Sequence, residues 1–276
     1  MQGIEELAHA KVNLFLRVLR RREDGFHEIE TFMAPITLCD LLEIESANEF
    51  EFHCDEPGLA GDDNLVVRAA RLFFSETNRE PNVRLTLRKE IPHGAGLGGG
   101  SSDAAAALRG LNRFFDARVS SERLSKLAAQ LGSDVSFFVN ETAATCSGRG
   151  EIVTRAALPA PLSLLLVKPE FGVLSPWAYS RWQATREVAG AVYQPQKFDD
   201  ITYVNDLERP VFEKFVFLAQ LKSWLLEQPE VGAALMSGSG STIFALLRPK
   251  VDADLVAKRA KSELDPELWT YVCQTI

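Results

Sequence analysis

The chain has little of what a metal-stapled, secreted or membrane protein needs. Its four cysteines, Cys39, Cys54, Cys146 and Cys273, are scattered over 276 residues and form no Cys-x-x-Cys. Zinc sites and disulfide frameworks use close, patterned spacing, so reduced thiols are expected. The four histidines show no metal-ligand spacing. No apolar run approaches the roughly 18–20 residues of a membrane helix. Residues 1–7 are acidic and lack a signal-peptide core, so a cytoplasmic protein off the membrane is expected. Positive charge is also short: 30 Lys+Arg stand against 38 Asp+Glu, a net charge of −8. Indiscriminate binding to a nucleic-acid backbone relies on clustered Lys and Arg, so nucleic acid is excluded as a partner. One small phosphorylated ligand in a local site is not excluded. There is no repeat, no low-complexity tract and no evident obligate protein partner.

What is present is a globular composition, 46% hydrophobic and 25% charged, long enough for one large or two ordinary domains. In the segment 7–19, Ala8, Ala10, Val12, Leu14, Leu16 and Val18 alternate with His9, Lys11, Asn13 and Arg17. That period predicts a strand with one buried face and one polar face. The segment 20–25 reads as a charged turn. Further strands are predicted over 41–52, 83–87, 163–167 and 243–247, and helices over 64–76, 101–115, 120–131, 210–227 and 252–264. Gly132 suits a left-handed helix stop. The short apolar run 135–139 fits either a strand or a helix. Prolines and small residues near 156–161 suggest a boundary between two α+β domains, 1–157 and 158–276. Nine acidic residues and no Lys or Arg fall between positions 40 and 63, which reads as a solvated region outside any site.

The strongest signal is the run Pro92, His93, Gly94, Ala95, Gly96, Leu97, Gly98, Gly99, Gly100, Ser101 and Ser102, which leads into an Ala-rich helix. Glycines let backbone approach a ligand with no Cβ in the way. A helix start adds unpaired N–H groups and partial positive charge, so the run is a phosphate site. It is not a Walker loop, because Gly-Lys-Ser/Thr is missing. It is not a dinucleotide fingerprint either, because no ribose-binding acid follows in a βαβ unit.

Pro92–Ser102 resembles the second signature of the GHMP kinase superfamily. Residues 8–16, Ala-His-Ala-Lys-Val-Asn-Leu-Phe-Leu, resemble its first, and Met236–Thr242, a second glycine loop, its third. Four shorter motifs sit in order beside them: Ala10–Leu14, Asp24-Gly-Phe-His27, Leu131–Val135 and Asn205-Asp-Leu-Glu208. They are similar to the branch of the superfamily that phosphorylates a hydroxyl of a diphosphocytidyl sugar alcohol in non-mevalonate isoprenoid synthesis. The resemblance implies an N-terminal domain like ribosomal protein S5 domain 2 and a ferredoxin-like C-terminal domain, with ATP and acceptor in the cleft between them.

By position in these motifs, the resemblance implies that Asp134 is the catalytic aspartate and Lys11 its partner. Pro92–Ser102 would hold ATP. Asn13 would lie near the reacting hydroxyl, His27 on the cytosine, and Gly238, Ser239 and Gly240 on the acceptor's diphosphate. Phe26 stands where the family commonly has Tyr, so it can stack on cytosine but makes no phenol contact. Tyr179 either covers the other face of the base or packs in the core. The four arginines at 17 and 20–22 read either as a solvated turn or as contacts to the nucleotide. ATP chemistry implies Mg²⁺, yet the sequence holds no dedicated carboxylate cage. A hydroxyl from Ser101 or Ser102, phosphate oxygens and water are the expected ligands.

Overall fold

The structure is a computed structural model that describes residues 3–276. The chain opens with two very long strands, β1 (Ile4–Arg21) and β2 (His27–Ser46), paired antiparallel along their length. Then come β3 (Glu51–Cys54), α1 (Leu65–Thr77), β4 (Val83–Arg88), α2 (Gly99–Phe114), α3 (Ser121–Leu131), the single turn α4 (Val135–Phe138), β5 (Ala144–Gly148) and β6 (Ile152–Arg155). The second half contains β7 (Ser163–Lys168), α5 (Ser175–Arg181), β8 (Gln196–Phe198), β9 (Ile201–Asn205), α6 (Glu208–Lys214), α7 (Val216–Leu226), β10 (Val231–Met236), β11 (Ile243–Leu247), α8 (Ala253–Glu263) and β12 (Trp269–Gln274).

Two sheets result. The first has the order β3-β4-β2-β1-β9-β8, with β5 pairing β2 and β6 pairing β5. The second has the order β10-β11-β7-β12, all antiparallel. Numbered by their own succession, its strands lie 2-3-1-4, the arrangement of a βαββαβ ferredoxin-like unit. The late hairpin β8–β9 returns to the first sheet through a short parallel pairing with β1, at Phe15 with Val204 and Leu16 with Asn205.

Three apolar clusters explain the layering. Helices α1 to α4 cover one face of the first sheet through Phe73, Ala104–Leu108, Leu111, Leu127 and Phe137. A second cluster lies between the second sheet and α5 to α8. The third joins the two sheets, packing Ala10, Val12 and Leu14 of β1 against Leu164, Leu166, Phe244 and Leu246. Leu165 and Val167 point the other way, into the second cluster, so β7 is buried on both faces. That double burial is why it reads as an unbroken apolar run. Burial of this extent, at about 25 cal/mol per Å² of apolar surface, is the main term holding the layers together.

Several expectations need adjustment. The segment 27–40 is strand, and β2 and β3 are separated by a bend at 47–50, so 41–52 is not one element. Ala34 and Ile36 are buried and the pairing with β1 shifts register between His9 and Lys11 and again between Asn13 and Phe15, which erases a clean alternation. The predicted helix 210–227 breaks at Phe215 (φ −114°, ψ 70°), whose ring stacks on Phe171. Gly132 is extended (φ 173°), not left-handed. The run 135–139 is helical. Asn64, Ser120 and Asp252 cap their helices, each accepting an N–H of the first turn.

Candidate active site

The polar face of β1 is covered at its centre. Lys11 and Asn13 are only 3% and 2% exposed, because the glycine-rich loop lies over them. The Lys11 N–H donates to the Leu97 carbonyl (2.9 Å), and its Nζ donates to the Gly96 carbonyl (2.9 Å) and to Asn13 Oδ1. Asn13 Nδ2 donates in turn to Thr31 Oγ1 (2.8 Å), which fixes the amide's orientation. Burial pushes the Lys11 ammonium below its ordinary pKa, and the Asp134 charge opposes that shift.

The loop alternates anchors and approaches. Ile91, Ala95 and Leu97 are buried in the cluster between the sheets. Gly94, Gly96 and Gly98 between them have positive φ (64°, 74° and 74°). A Cβ on Gly96 would stand 2.1 Å from the Ser237 carbonyl oxygen, and one on Gly98 would stand 2.7 Å from the Phe138 ring. Gly98 caps α2, so the helix starts inside the glycine run, earlier than expected. Ser101 faces the cavity, but Ser102 does not. Its hydroxyl donates to the His9 carbonyl (2.7 Å) and its N–H to Gly98, so it fastens the helix to β1.

The second glycine loop connects β10 to β11 beside the first. Ser237 Oγ donates to the Gly96 carbonyl (2.9 Å) and the Thr242 N–H to the Ala95 carbonyl (3.2 Å). Gly238 sits so close to β1 that a Cβ there would be 3.2 Å from both Lys11 Nζ and Asn13 Oδ1. Gly238 and Ser239 line the cavity; Gly240 is turned away, against the Met236 side chain.

Both loops open on one cavity of about 960 Å³. Asp134 enters it from the turn between α3 and α4. It makes no capping bond, and its Oδ2 lies 3.9 Å from Lys11 Nζ. Across the cavity His27 stacks on Tyr179 (5.6 Å between centroids, 27°) and meets Trp182 edge-on (6.0 Å). Burial lowers the His27 pKa, and the Arg21 charge adds to that. Burial, and then the Asp134 charge, raise the Tyr179 phenol. Phe26 is 52% exposed at the rim, with the Arg149 guanidinium 4.8 Å from its ring centre. Of the arginines in the first hairpin, Arg17 pairs with Asp206 and Arg22 with Asp24 and Glu28, while Arg21 lines the cavity.

The acidic stretch is partly inside the site, contrary to expectation. Gly58, Leu59 and Asp63 line the cavity, and Asp40 is fully buried beneath the loop. Asp40 Oδ1 accepts the N–H groups of Glu90 and Ile91 (2.6 and 2.8 Å). Lys89 Nζ bridges Asp40 and Asp103, which ties the entrance of the glycine run to α2. Burial, joined by the like charge of Asp40, raises the Asp103 carboxyl to about 8 against the pull of Lys89.

Sequence reasoning also passed over Arg149, Lys89, Asp103, Thr31 and Trp182. Only Arg149 carried a local signal: it lies between Gly148 and Gly150, both at positive φ, on a turn that must project its middle residue.

The geometry suits nucleotide chemistry: a backbone cradle at a helix start, a buried ammonium, a carboxylate and an aromatic box around one cavity. Comparison with known proteins identifies the lineage. Residues 64–142 match the GHMP kinases N terminal domain and residues 194–265 the GHMP kinases C terminal domain. A 4-diphosphocytidyl-2-C-methyl-D-erythritol kinase of Methylacidiphilum infernorum is 42% identical over 96% of this chain and 94% of its own. The chain belongs to the GHMP kinase family. A kinase of the same description from Thermodesulfovibrio yellowstonii is 34% identical over 98% and 96% of the two chains. Among solved structures, a 4-(cytidine 5'-diphospho)-2C-methyl-D-erythritol kinase superposes with a TM-score of 0.79 at 35% identity, covering 99% of both chains. A homoserine kinase from Cytophaga hutchinsonii gives 0.72 at 14% identity over 100% and 95%, a likeness of fold. Like the family, this chain is an ATP-dependent small-molecule kinase in two α+β domains.

Proposed function

We propose that the protein transfers the γ-phosphate of ATP to a hydroxyl of 4-diphosphocytidyl-2-C-methyl-D-erythritol, a step of non-mevalonate isoprenoid synthesis. The observation that carries this reading is the meeting of both glycine loops at Lys11. Its Nζ bonds the Gly96 carbonyl of one loop and lies beside Gly238 of the other, with Asp134 3.9 Å away. In this reading two phosphate-bearing ligands face each other across one ammonium and one carboxylate.

Phosphoryl transfer needs mostly positioning and charge stabilisation. In this reading Gly94–Ser101 hold the ATP phosphates through backbone N–H groups at the start of α2. Lys11 supplies positive charge where the phosphoryl group passes, inside a water-poor site. Asp134 accepts the hydrogen bond of the attacking hydroxyl and takes its proton as the hydroxyl oxygen bonds the γ-phosphorus and the γ-phosphorus–oxygen bond to ADP breaks. Asn13, held by Thr31, faces the same hydroxyl. Gly238 and Ser239 bind the acceptor's diphosphate, and His27, Tyr179 and Phe26 hold the cytosine by stacking and hydrogen bonding.

Mg²⁺ neutralises the phosphates in this reading. No three His, Cys, Asp or Glu side chains converge among the described residues. The free hydroxyl of Ser101 and the Asp134 carboxylate fit an ion held mainly by phosphate oxygens and water, as Mg²⁺ usually is. The 1–157 and 158–276 division serves this arrangement, since the two glycine loops come from opposite sides of it.

The test is ADP release with Mg-ATP and a panel of alcohols. Turnover with the diphosphocytidyl alcohol alone is expected. Turnover with homoserine or mevalonate instead, or nucleotide binding with no turnover at all, would overturn the assignment.

A further inference from the structure

The motif Asn205-Asp-Leu-Glu208 has no place in the chemistry above, yet three of its side chains are spent on the site's framework. Asn205 ends β9 and is 3% exposed. Its Nδ2 donates to two carbonyls of the second glycine loop, Met236 and Gly238, both at 2.7 Å. Its Oδ1 accepts the Leu207 N–H (2.9 Å). The amide thus has both donors on the loop and its acceptor on its own turn. Glu208 Oε1 takes the Met236 N–H (3.0 Å), and its Oε2 is paired with Lys222 Nζ (2.6 Å) in a pocket where both are about 1% exposed. Asp206 joins the same motif to β1, accepting from the Val18 N–H (2.9 Å) and from Arg17 (2.8 Å).

The consequence lies in the peptide plane. In a trans peptide the carbonyl and the following N–H point in opposite directions. With the Gly238 carbonyl drawn onto Asn205, the Ser239 N–H is turned away from Asn205, and both residues of that peptide line the cavity. That N–H has no protein acceptor among the described residues. Ser237 and Gly240 spend theirs inside the loop, on the carbonyls of Thr242 and Ser237.

We infer that Asn205 is a positioning residue that clamps the second glycine loop and aims the Ser239 amide at an anionic group of the acceptor, the phosphates of a nucleoside diphosphate. This rests on the reading of the loop given under Proposed function. It requires no contact between Asn205 and any ligand. The clamp also sets the loop against Lys11 and Asn13, because Asn205 pairs beside Leu16 of the strand that carries them.

The test uses Asn205→Asp, which removes both donors at constant size, and Asn205→Ala, in case the buried carboxylate prevents folding. Each is compared with the wild type in acceptor and ATP steady-state kinetics, in CDP and ADP titrations, and in amide hydrogen exchange. The loss of two hydrogen bonds should raise the acceptor KM and the CDP Kd about tenfold or more. ADP affinity should stay within about twofold, since the first glycine loop keeps its own anchors. Exchange at Ser237 and Gly240 should accelerate while β7 and β12 keep their protection. Equal weakening of CDP and ADP, or unchanged exchange at those two amides in a folded variant, would overturn the clamp. If the wild type itself binds no CDP, the acceptor assignment fails, and the exchange rates still decide whether Asn205 holds the loop.

Discussion

The Lys11 ammonium and the Asp134 carboxylate stand 3.9 Å apart, on side chains that are 4% and 38% exposed. That asymmetry separates their tasks. Lys11 is held by the Gly96 carbonyl and Asn13 and cannot leave. Asp134 is free of capping bonds and reaches the cavity. Asp134→Asn keeps the shape and removes the charge. We expect kcat to fall at least about 10²-fold, the usual scale of an acid–base contribution, with little change in the ATP Kd. Rapid-mix ADP release and nucleotide titration measure the two separately; near-normal turnover would remove Asp134 from the chemistry.

Gly98→Val should abolish nucleotide binding. Gly98 has φ 74°, and its Cβ would lie 2.7 Å from the Phe138 ring and 3.3 Å from Lys11 Cε. A branched residue there is strained by the backbone before it meets any ligand. Fluorescent-nucleotide titration reads the result, with circular dichroism to verify folding. Unchanged affinity would show that the loop does not approach the phosphates closely.

Tyr179→Ala removes the ring stacked on His27 and lining the cavity. Stacking of a base on an aromatic ring is worth about 1–3 kcal/mol. The acceptor KM should therefore rise by about tenfold or more, with the ATP KM unchanged. A variant whose acceptor kinetics match the wild type would return Tyr179 to core packing.

Asp103 gives a pH signature. Its carboxyl, buried beside Asp40 with one shared ammonium, holds its proton to about 8, against an ordinary 3.8. Between those values the folded state binds the extra proton, so this group's stabilisation is full below the ordinary value and is lost as pH rises through the folded one. Lys89 is raised from its ordinary 10.5, so it changes charge above that window. Asp103→Asn keeps an acceptor for Lys89 and cannot ionise. Its Tm relative to the wild type should climb from about pH 5 to about pH 8 and level off above. A flat difference across that range would mean that Asp103 is ionised throughout.

Much of the site was legible because its signals are local. Positive φ at Gly94, Gly96 and Gly98 and the start of α2 depend on a few neighbouring residues, so the glycine run stood out directly as a loop that lines the cavity. Lys11 was conspicuous as a charge within an alternating strand, and Asp134 as an acid between a helix end and an apolar run. Ser102 and Gly240 belong to the motifs but not to the cavity, because a motif records sequence neighbours and cannot tell a lining group from its fastening. The acidic stretch misled for a related reason. Its composition reads as solvated surface, while Asp40 is buried where two backbone N–H groups and Lys89 satisfy it.

The sequence alone determined the glycine loops and the kinase lineage, since each rests on backbone preference or residue order over short spans. Tertiary structure decided what meets what. Packing of the second sheet on the apolar face of β1 brought the two glycine loops into contact and made Asn205 a clamp, and the first loop buried Lys11 and Asn13 on the other face. Burial and shared charge, which exist only in the folded chain, set the Asp103 proton and lowered the pKa of Lys11.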